Sequence, residues 1–142
     1  MPVLSTDAYG HRVPTNNGLG ANLAAGAVST SAAGTLAPTT AAGQTPTVTS
    51  VNANDTAGSF VLNPVTGGGA QAAGAVVQVT FAEPYAVTPK GVVVDMCDNA
   101  GGASAVAISA AAQTVTTTGF TINVASALTT AHNYFTSYIV LP

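Results

Sequence analysis

Side chains that could perform acid–base chemistry are few in this sequence. Those beyond residue 46 are Asp55, Glu83, Lys90, Asp95, Asp98 and His132. Acid–base catalysis requires titratable groups that converge on one substrate, and this set is sparse. No serine stands in the pattern Gly-x-Ser-x-Gly, which is typical of an exposed nucleophile. We therefore predict that the chain has no catalytic residue and is not an enzyme.

One short segment has the oxygen ligands that Ca²⁺ prefers, since Asp95, Asp98 and Asn99 lie within five residues. The segment follows a predicted strand and begins a Gly-rich stretch, so we interpret it as a turn. A zinc site needs three or four His, Cys or carboxylate ligands, whereas the chain has two distant histidines and one cysteine, Cys97. We predict no metal, no cofactor and no internal disulfide.

The scarcity of charge is the most informative feature of the composition. Charged residues make up 5% of the 142 residues, against about 25% in an average soluble protein. Low charge favours association because neighbouring molecules repel each other weakly. We therefore predict a subunit of an assembly; the alternative is a secreted domain with a neutral surface.

Three classes of partner or location are disfavoured by the same composition. The two permanent cations, Arg12 and Lys90, cannot neutralise a useful number of phosphates, so we predict no nucleic-acid binding. No run approaches the roughly 20 apolar residues of a membrane-spanning helix. The start of the sequence lacks a basic stretch followed by an apolar one, so we expect no signal peptide and synthesis in a cytoplasm.

Residues 1–46 differ in character from the rest of the chain. They are rich in Ala, Gly, Ser, Thr, Asn and Pro, and their apolar residues follow neither a strand nor a helix period. One interpretation is a disordered tail. The other is an extended arm that orders on a neighbouring subunit, which the apolar residues near its start favour. We predict that residues 1–46 form such an arm, dispensable for folding of the rest, and that 47–142 form one domain.

Short segments rich in Val, Thr, Ile, Phe and Tyr alternate with turn residues after Pro46, a pattern typical of a β-sandwich or barrel. We predict one all-β domain, an antiparallel β-sandwich of about seven or eight strands with jelly-roll or immunoglobulin-like topology. A small barrel of similar strands is the alternative topology. The predicted strands lie near 47–52, 58–63, 75–82, 90–96, 104–110, 113–118, 119–125 and 133–141.

Alternation within these segments predicts which side chains are buried. Phe120, Ile122 and Val124 should share a buried face, as should Val77, Val79 and Phe81. The last segment is apolar on both faces, with Phe135, Ile139 and Leu141 opposite Tyr134, Tyr138 and Val140. We expect this strand to be central in the domain or covered by a neighbour. If Phe135 is buried, its replacement by Ala should cost about 3–5 kcal/mol.

Four segments between Asn54 and Leu141 carry a resemblance to a known group of proteins. They are Asn-Asp-Thr-Ala-Gly-Ser-Phe-Val-Leu, Ala-Val-Val-Gln-Val-Thr-Phe-Ala-Glu-Pro-Tyr-Ala-Val-Thr-Pro-Lys, Thr-Thr-Thr-Gly-Phe-Thr-Ile-Asn-Val and Tyr-Phe-Thr-Ser-Tyr-Ile-Val. Together they resemble β-sandwich domains of tailed-bacteriophage structural proteins, which occur in capsid decoration (head cement) proteins and in tail-fibre or spike modules. The resemblance implies an arm lying across capsid subunits and a domain that forms a homotrimer.

The function that we predict is that of a capsid decoration protein. It would bind the major capsid protein on the outer surface of the virion and stabilise the shell. The alternative is a tail-fibre or head-fibre tip whose loops, at 64–74 and 97–103, contact a host receptor or glycan. A small secreted enzyme is the weakest hypothesis, because candidate catalytic groups are too few.

Aromatic and aliphatic residues are the candidates for the contacts of such a subunit. Tyr85, Phe135 and two tyrosines of the last strand could lie in a sugar site, but aromatic residues in strands are more often core or interface residues. The predicted interface residues are Val3, Leu4, Tyr9, Val13, Leu19, Tyr134 and Tyr138.

Overall fold

The computed structural model describes residues 4–6, 12–14, 34–64, 71–99 and 106–142. The chain divides into two compact units, Met1–Thr30 and Ser31–Pro142. In the first unit, β1 (Leu4–Thr6) pairs antiparallel with β2 (Arg12–Pro14). Leu4 lies opposite Pro14 in this short ladder.

The second unit is a β-sandwich of two antiparallel sheets that pack against each other. The four-stranded sheet has the order β3-β6-β10-β9 and the five-stranded sheet the order β4-β5-β11-β7-β8. A single turn of 3₁₀ helix, Thr40–Ala42, follows β3. The strands are β3 (Thr35–Pro38), β4 (Thr47–Ala53), β5 (Ala57–Asn63), β6 (Gly74–Thr80), β7 (Gly91–Asp98), β8 (Val106–Ala107), β9 (Ala110–Gln113), β10 (Gly119–Val124) and β11 (Tyr134–Leu141). The predicted fold class is thus confirmed, with nine described strands in the sandwich.

The core lies between the sheets and consists of alternate residues from their facing sides. The predicted buried face of Phe120, Ile122 and Val124 is confirmed, because all three side chains are at most 4% exposed. The ring of Phe120 packs edge-on against that of Tyr138 on the opposite sheet, with centroids 5.2 Å apart. The buried apolar residues are Ala42, Phe60, Leu62, Val76, Val77, Val79, Phe81, Met96, Phe120, Ile122, Val124, Leu128, Tyr134, Tyr138 and Val140.

Two glycines permit close contact between backbones in the four-stranded sheet. A Cβ on Gly119, whose φ is +157°, would lie 2.1 Å from the carbonyl oxygen of Val79. A Cβ on Gly34 would lie 1.9 Å from the carbonyl oxygen of Thr80. Both positions therefore require glycine, since any side chain there would force the strands apart.

Strand β11 lies between β5 and β7 and pairs with both along most of its length. Its buried residues are Tyr134, Thr136, Tyr138 and Val140, whereas Phe135, Ile139 and Leu141 are about half exposed. The strand is therefore central in the sheet, which is one of the two positions predicted for it. Its second apolar face is the outer side of the sheet, and the described residues of the chain do not bury it.

The prediction of strands at 104–110 and 113–118 was wrong in its boundaries. The observed β9 is Ala110–Gln113, and the chain turns at Thr114, which has a φ of +51°. The hydroxyl of Thr116 donates a hydrogen bond to the carbonyl oxygen of Gly119 and accepts one from the amide of Thr118. These local bonds form a turn from threonines whose propensity favours a strand.

The sandwich begins earlier in the chain than the predicted boundary after residue 46. Residues 35–38 form β3, which pairs with β6 at the edge of the four-stranded sheet, and Ala42 is fully buried in the core. Leu36 also packs against that core. The Gly- and Pro-rich composition concealed this strand because an edge strand tolerates Pro38 and needs few large side chains.

In the part of the chain that the structure describes, no helix is long and apolar enough to cross a membrane.

A pair of truncations should locate the domain boundary. Removing residues 1–46 deletes β3 and Ala42, whereas removing 1–30 retains both. We expect the shorter protein to be less stable than the longer one by at least about 3 kcal/mol, from the lost burial of Leu36 and Ala42. Urea denaturation followed by circular dichroism measures the difference. Equal unfolding free energies would show that β3 contributes nothing.

Replacement of single phenylalanines should distinguish a buried position in the core from an exposed position on the outer side of a sheet. Phe135 is 45% exposed and Phe120 is fully buried, so the cost of about 3–5 kcal/mol expected for a buried position applies to Phe120→Ala. We expect Phe135→Ala to cost under about 1 kcal/mol in a monomer. Chemical denaturation at low protein concentration measures both values, and a large loss for Phe135→Ala would contradict the exposed position.

Candidate functional site

The residues predicted to form an interface belong to different parts of the chain. Val3, Tyr9 and Leu19 lie outside the described residues, while Leu4 and Val13 lie in β1 and β2 of the first unit. Most of 64–74 and 97–103, the loops of the alternative hypothesis, is also outside the described residues. These parts of the prediction stay predictions.

Tyr134 and Tyr138 are corrected from interface residues to core residues. Their side chains are 1% and 3% exposed. The Tyr134 hydroxyl accepts a hydrogen bond from the Thr129 amide at 2.7 Å, and the Tyr138 hydroxyl donates one to the Asn54 carbonyl at 2.6 Å. They lie on the inner face because β11 alternates, which turns Phe135 and Ile139 outward instead.

Asp55 is a buried carboxylate that holds the β4–β5 turn against the segment after β6. One of its oxygens accepts a hydrogen bond from the Ala82 amide at 2.8 Å, and the other accepts one from the Glu83 amide at 3.0 Å. The Tyr85 hydroxyl donates to the backbone carbonyl of Asp55 at 2.8 Å. Since both carboxylate oxygens are engaged by the backbone, this acid joins the two sheets at one end of the sandwich.

The turn beneath this carboxylate is fixed by the side chain of Asn54. Its Oδ1 accepts hydrogen bonds from the amides of Thr56 and Ala57, at 2.8 and 2.9 Å. Gly58 follows, and a Cβ there would lie 2.5 Å from the ring of Tyr138. The short loop and the glycine allow the ring of Tyr138 to pack against Gly58 and its hydroxyl to reach the Asn54 carbonyl.

The imidazole of His132 is hydrogen-bonded to the carboxylate of Asp98 at the end of β7, with 2.7 Å between Nδ1 and Oδ2. This arrangement orients the imidazole as in a catalytic dyad. Among the residues that the structure describes, however, no hydroxyl or thiol hydrogen-bonds to His132. The pair joins β7 to the segment before β11, which is a structural role.

The segment considered for Ca²⁺ does not bring its ligands together. Asp95 and Asp98 are three residues apart in β7, so alternation directs them to opposite faces of the sheet. Asp95 is exposed on the outer side, while Asp98 faces inward toward His132. Within the described ranges, no group of three or more His, Cys, Asp or Glu residues could hold a metal ion.

The candidate functional site is the outer face of the five-stranded sheet. We define this outer face by ten outward-pointing residues of its three middle strands, which are Ala57, Ser59 and Val61 of β5, Phe135, Ser137, Ile139 and Leu141 of β11, and Val93, Asp95 and Cys97 of β7. The strand register arranges nine of them in three rows. Asp95 is the one charged residue of the set.

The rows alternate in polarity along the strands. The first apolar row is Val61, Phe135 and Cys97, and the second apolar row is Ala57, Ile139 and Val93. Between them runs the polar row, Ser59, Ser137 and Asp95. Directly opposed residues of neighbouring strands have Cβ atoms about 4.5–5.5 Å apart, so each row is a continuous strip of side chains. The sequence pointed to this surface through the two-sided apolar pattern of the last strand.

A shallow open depression of about 270 Å³ lies on this outer face, beside the first apolar row. Its lining includes Phe135, Asp95, Ser59 and Ser137. Ser50 also lines it, at an irregularity in the pairing of β4 with β5, and has a φ of +50°. The depression combines an aromatic ring, a carboxylate and the hydroxyl groups of three serines, which is a surface suited to hydrogen-bonding partners with an apolar side.

No protein-family model, no curated protein and no solved structure matches this chain. The resemblance to bacteriophage structural proteins therefore stays a prediction.

Deprotonation of Tyr138 should destabilise the folded protein at alkaline pH. Burial, followed by the negative charge of Asp55, raises the pKa of Tyr138 from 10.0 to about 12. Because the folded state holds this proton more tightly, the stabilisation is complete below pH 10 and is lost as the pH rises through about 12. We expect the unfolding free energy to fall over this window.

Tyr138→Phe should flatten that pH dependence and cost about 1–2 kcal/mol at pH 7 through the lost hydrogen bond to Asn54. A residual slope should remain, since burial also raises the pKa of Tyr85. Urea denaturation at several pH values between 9 and 12 measures both effects. Identical slopes for the native chain and the variant would contradict the assignment.

Proposed function

We propose that this chain is a structural virion protein, a capsid decoration protein that binds the outer capsid surface and stabilises the shell. Its partners would be the major capsid protein and other copies of the chain. The observation that carries the proposal is the outer face, where exposed Phe135, Ile139, Leu141 and Val93 adjoin on a chain that is nearly free of charge. A surface of this kind is typical of contacts between proteins.

The energetic mechanism would be burial of apolar surface. Each Å² removed from water contributes about 25 cal/mol before the costs of association. With few charges to desolvate, little of that gain is lost in removing ions from water. Repetition of the contact over many copies around a shell would add avidity to individually modest contacts.

The first unit provides a second set of contacts with the capsid in this proposal. Residues 1–30 carry the apolar positions Val3, Leu4, Tyr9, Val13 and Leu19, which we propose as anchors on neighbouring capsid subunits. An arm and a domain would then bind at separate places, and linkage of two weak contacts in one chain raises the overall affinity. The resemblance to head cement proteins supports the same division.

A second candidate is a fibre tip that binds a host glycan or receptor. The observation in its favour is the depression on the outer face, where Phe135 could contact the apolar side of a sugar ring and Asp95 could accept hydrogen bonds from its hydroxyls. Aromatic contact combined with a carboxylate suits a polyhydroxylated ligand. Binding to host cells or to immobilised glycans, abolished by Phe135→Ala, would favour this function.

Binding to bare phage heads tests the decoration function. We expect the full chain to bind expanded heads and to raise their resistance to heat or low salt. A chain without residues 1–30 retains every strand of the sandwich, so its attachment should weaken strongly while its circular dichroism spectrum remains that of a β protein. Cosedimentation with heads measures occupancy. Unchanged occupancy of the truncated chain would reject the anchoring role, and absence of any binding by the full chain would reject the decoration function.

A further inference from the structure

We propose that the outer face binds the same face of a second copy of this chain, with the copies related by a rotation axis parallel to the strands. The inference rests on the proposed function in that it treats the chain as a subunit of an assembly. It goes further by naming the contact surface, the partner and the relative orientation of the partner.

The outer side of the five-stranded sheet approaches the size of a contact between copies. Its four long strands, of seven or eight residues each, are spaced about 4.8 Å apart and are about 25 Å long, which gives a flat area on the order of 500 Å² before the relief of side chains is added. Specific interfaces bury roughly 600–1,000 Å² per partner. The four most exposed apolar residues of the three middle strands, Val93, Phe135, Ile139 and Leu141, are between 45% and 56% exposed, so much of their surface is still available for burial.

The order of the rows is compatible with a second copy as the partner. Rotation about an axis parallel to the strands does not change the position of a row along the strand direction. The first apolar row of one copy therefore meets the first apolar row of the other, and the polar row meets the polar row. Sheets stacked about 10 Å apart can bury such matched rows between them.

The carboxylate of Asp95 determines whether the axis runs along the strands or across them. Asp95 lies on β7, on one side of β11, and Ser59 lies on β5, on the other side. An axis along β11 exchanges these two sides, so each Asp95 carboxylate meets the Ser59 hydroxyl of the other copy. The hydroxyl can donate a hydrogen bond to the carboxylate, which offsets part of the cost of removing that charge from water.

An axis running across the strands gives the opposite result. It would leave Asp95 on its own side and place the two carboxylates against each other in a contact with little water. Two opposed negative charges are unfavourable there. It would also bring the first apolar row against the second, with Phe135 facing Ile139. The position of the charge thus excludes one of two arrangements that hydrophobicity alone would allow.

Sedimentation equilibrium of the full chain under reducing conditions tests self-association and its order. We expect a closed dimer, because a face that binds the same face of one other copy is closed by a twofold axis. Ile139→Asp places a charge in the second apolar row and should weaken association at least about tenfold. Val87→Asp is the matched control: Val87 is 77% exposed and lies between β6 and β7, outside the outer face. A monomer at all concentrations, or equal weakening by both variants, would overturn the proposal.

Ser59→Lys tests the direction of the axis. With the axis parallel to the strands, the new ammonium group of each copy meets the partner's Asp95, and association should tighten about five- to tenfold at low salt. With an axis across the strands, the two lysines would face each other and association would weaken. Tightening that disappears in high salt supports the proposal, whereas weakening overturns it. Val93→Asp replaces Ile139→Asp if the latter variant fails to give a β-type circular dichroism spectrum.

Failure of this inference is distinguishable from failure of the proposed function. A chain that stays monomeric yet binds bare heads overturns the self-contact and leaves decoration intact. A chain that self-associates but never binds heads overturns decoration and leaves the self-contact intact.

Discussion

The position of β11 between β5 and β7 is the constraint on which the rest of the sandwich depends. Its two ladders unite the five-stranded sheet, and its inward residues supply Tyr134, Tyr138 and Val140 to the core. A strand fixes both of its faces at once, because successive side chains point in opposite directions. The burial of two tyrosines on one side therefore directs Phe135 and Ile139 to the other side, where both are exposed. The apolar outer face is a direct consequence of how the core is built.

The few charged residues are used in ways that follow from their scarcity. Asp55 is engaged by two backbone amides, and Asp98 pairs with His132, so both serve the connections between strands. Asp95 remains exposed amid apolar and hydroxyl side chains. On a surface with many charges, one carboxylate would have little effect on how two sheets stack. Here it is the feature that distinguishes one way of stacking two sheets from another, because an uncompensated charge is costly wherever water is excluded.

Agreement between sequence and structure is closest where periodicity and propensity point the same way. The alternating segment of β10 was predicted with its correct buried face. The segment of β11 was predicted to be central or covered by a neighbour, and the structure places it at the centre of its sheet. Disagreement occurs where the two signals conflict. Ala110–Gln113 forms β9 although alanine is a poor strand former, because the exposed amides and carbonyls of β10 supply a ladder. The neighbouring threonines have high strand propensity, yet they form a turn through their own hydroxyls. Thr35–Pro38 was missed for a related reason: its residues become a strand through pairing with β6.

The sequence by itself determined the fold class, the low charge and the two apolar faces of the last strand, because these depend on composition and on a period of two residues. Which of those faces is buried was decided by the tertiary structure, since local alternation is the same in either orientation. Only the register among β5, β11 and β7 could bring Ser59, Ser137 and Asp95 into one row, for these residues lie far apart along the chain and meet through hydrogen bonds between strands. In the same way, the role of Asp55 depends on amides 27 and 28 residues away, which no local pattern could reveal.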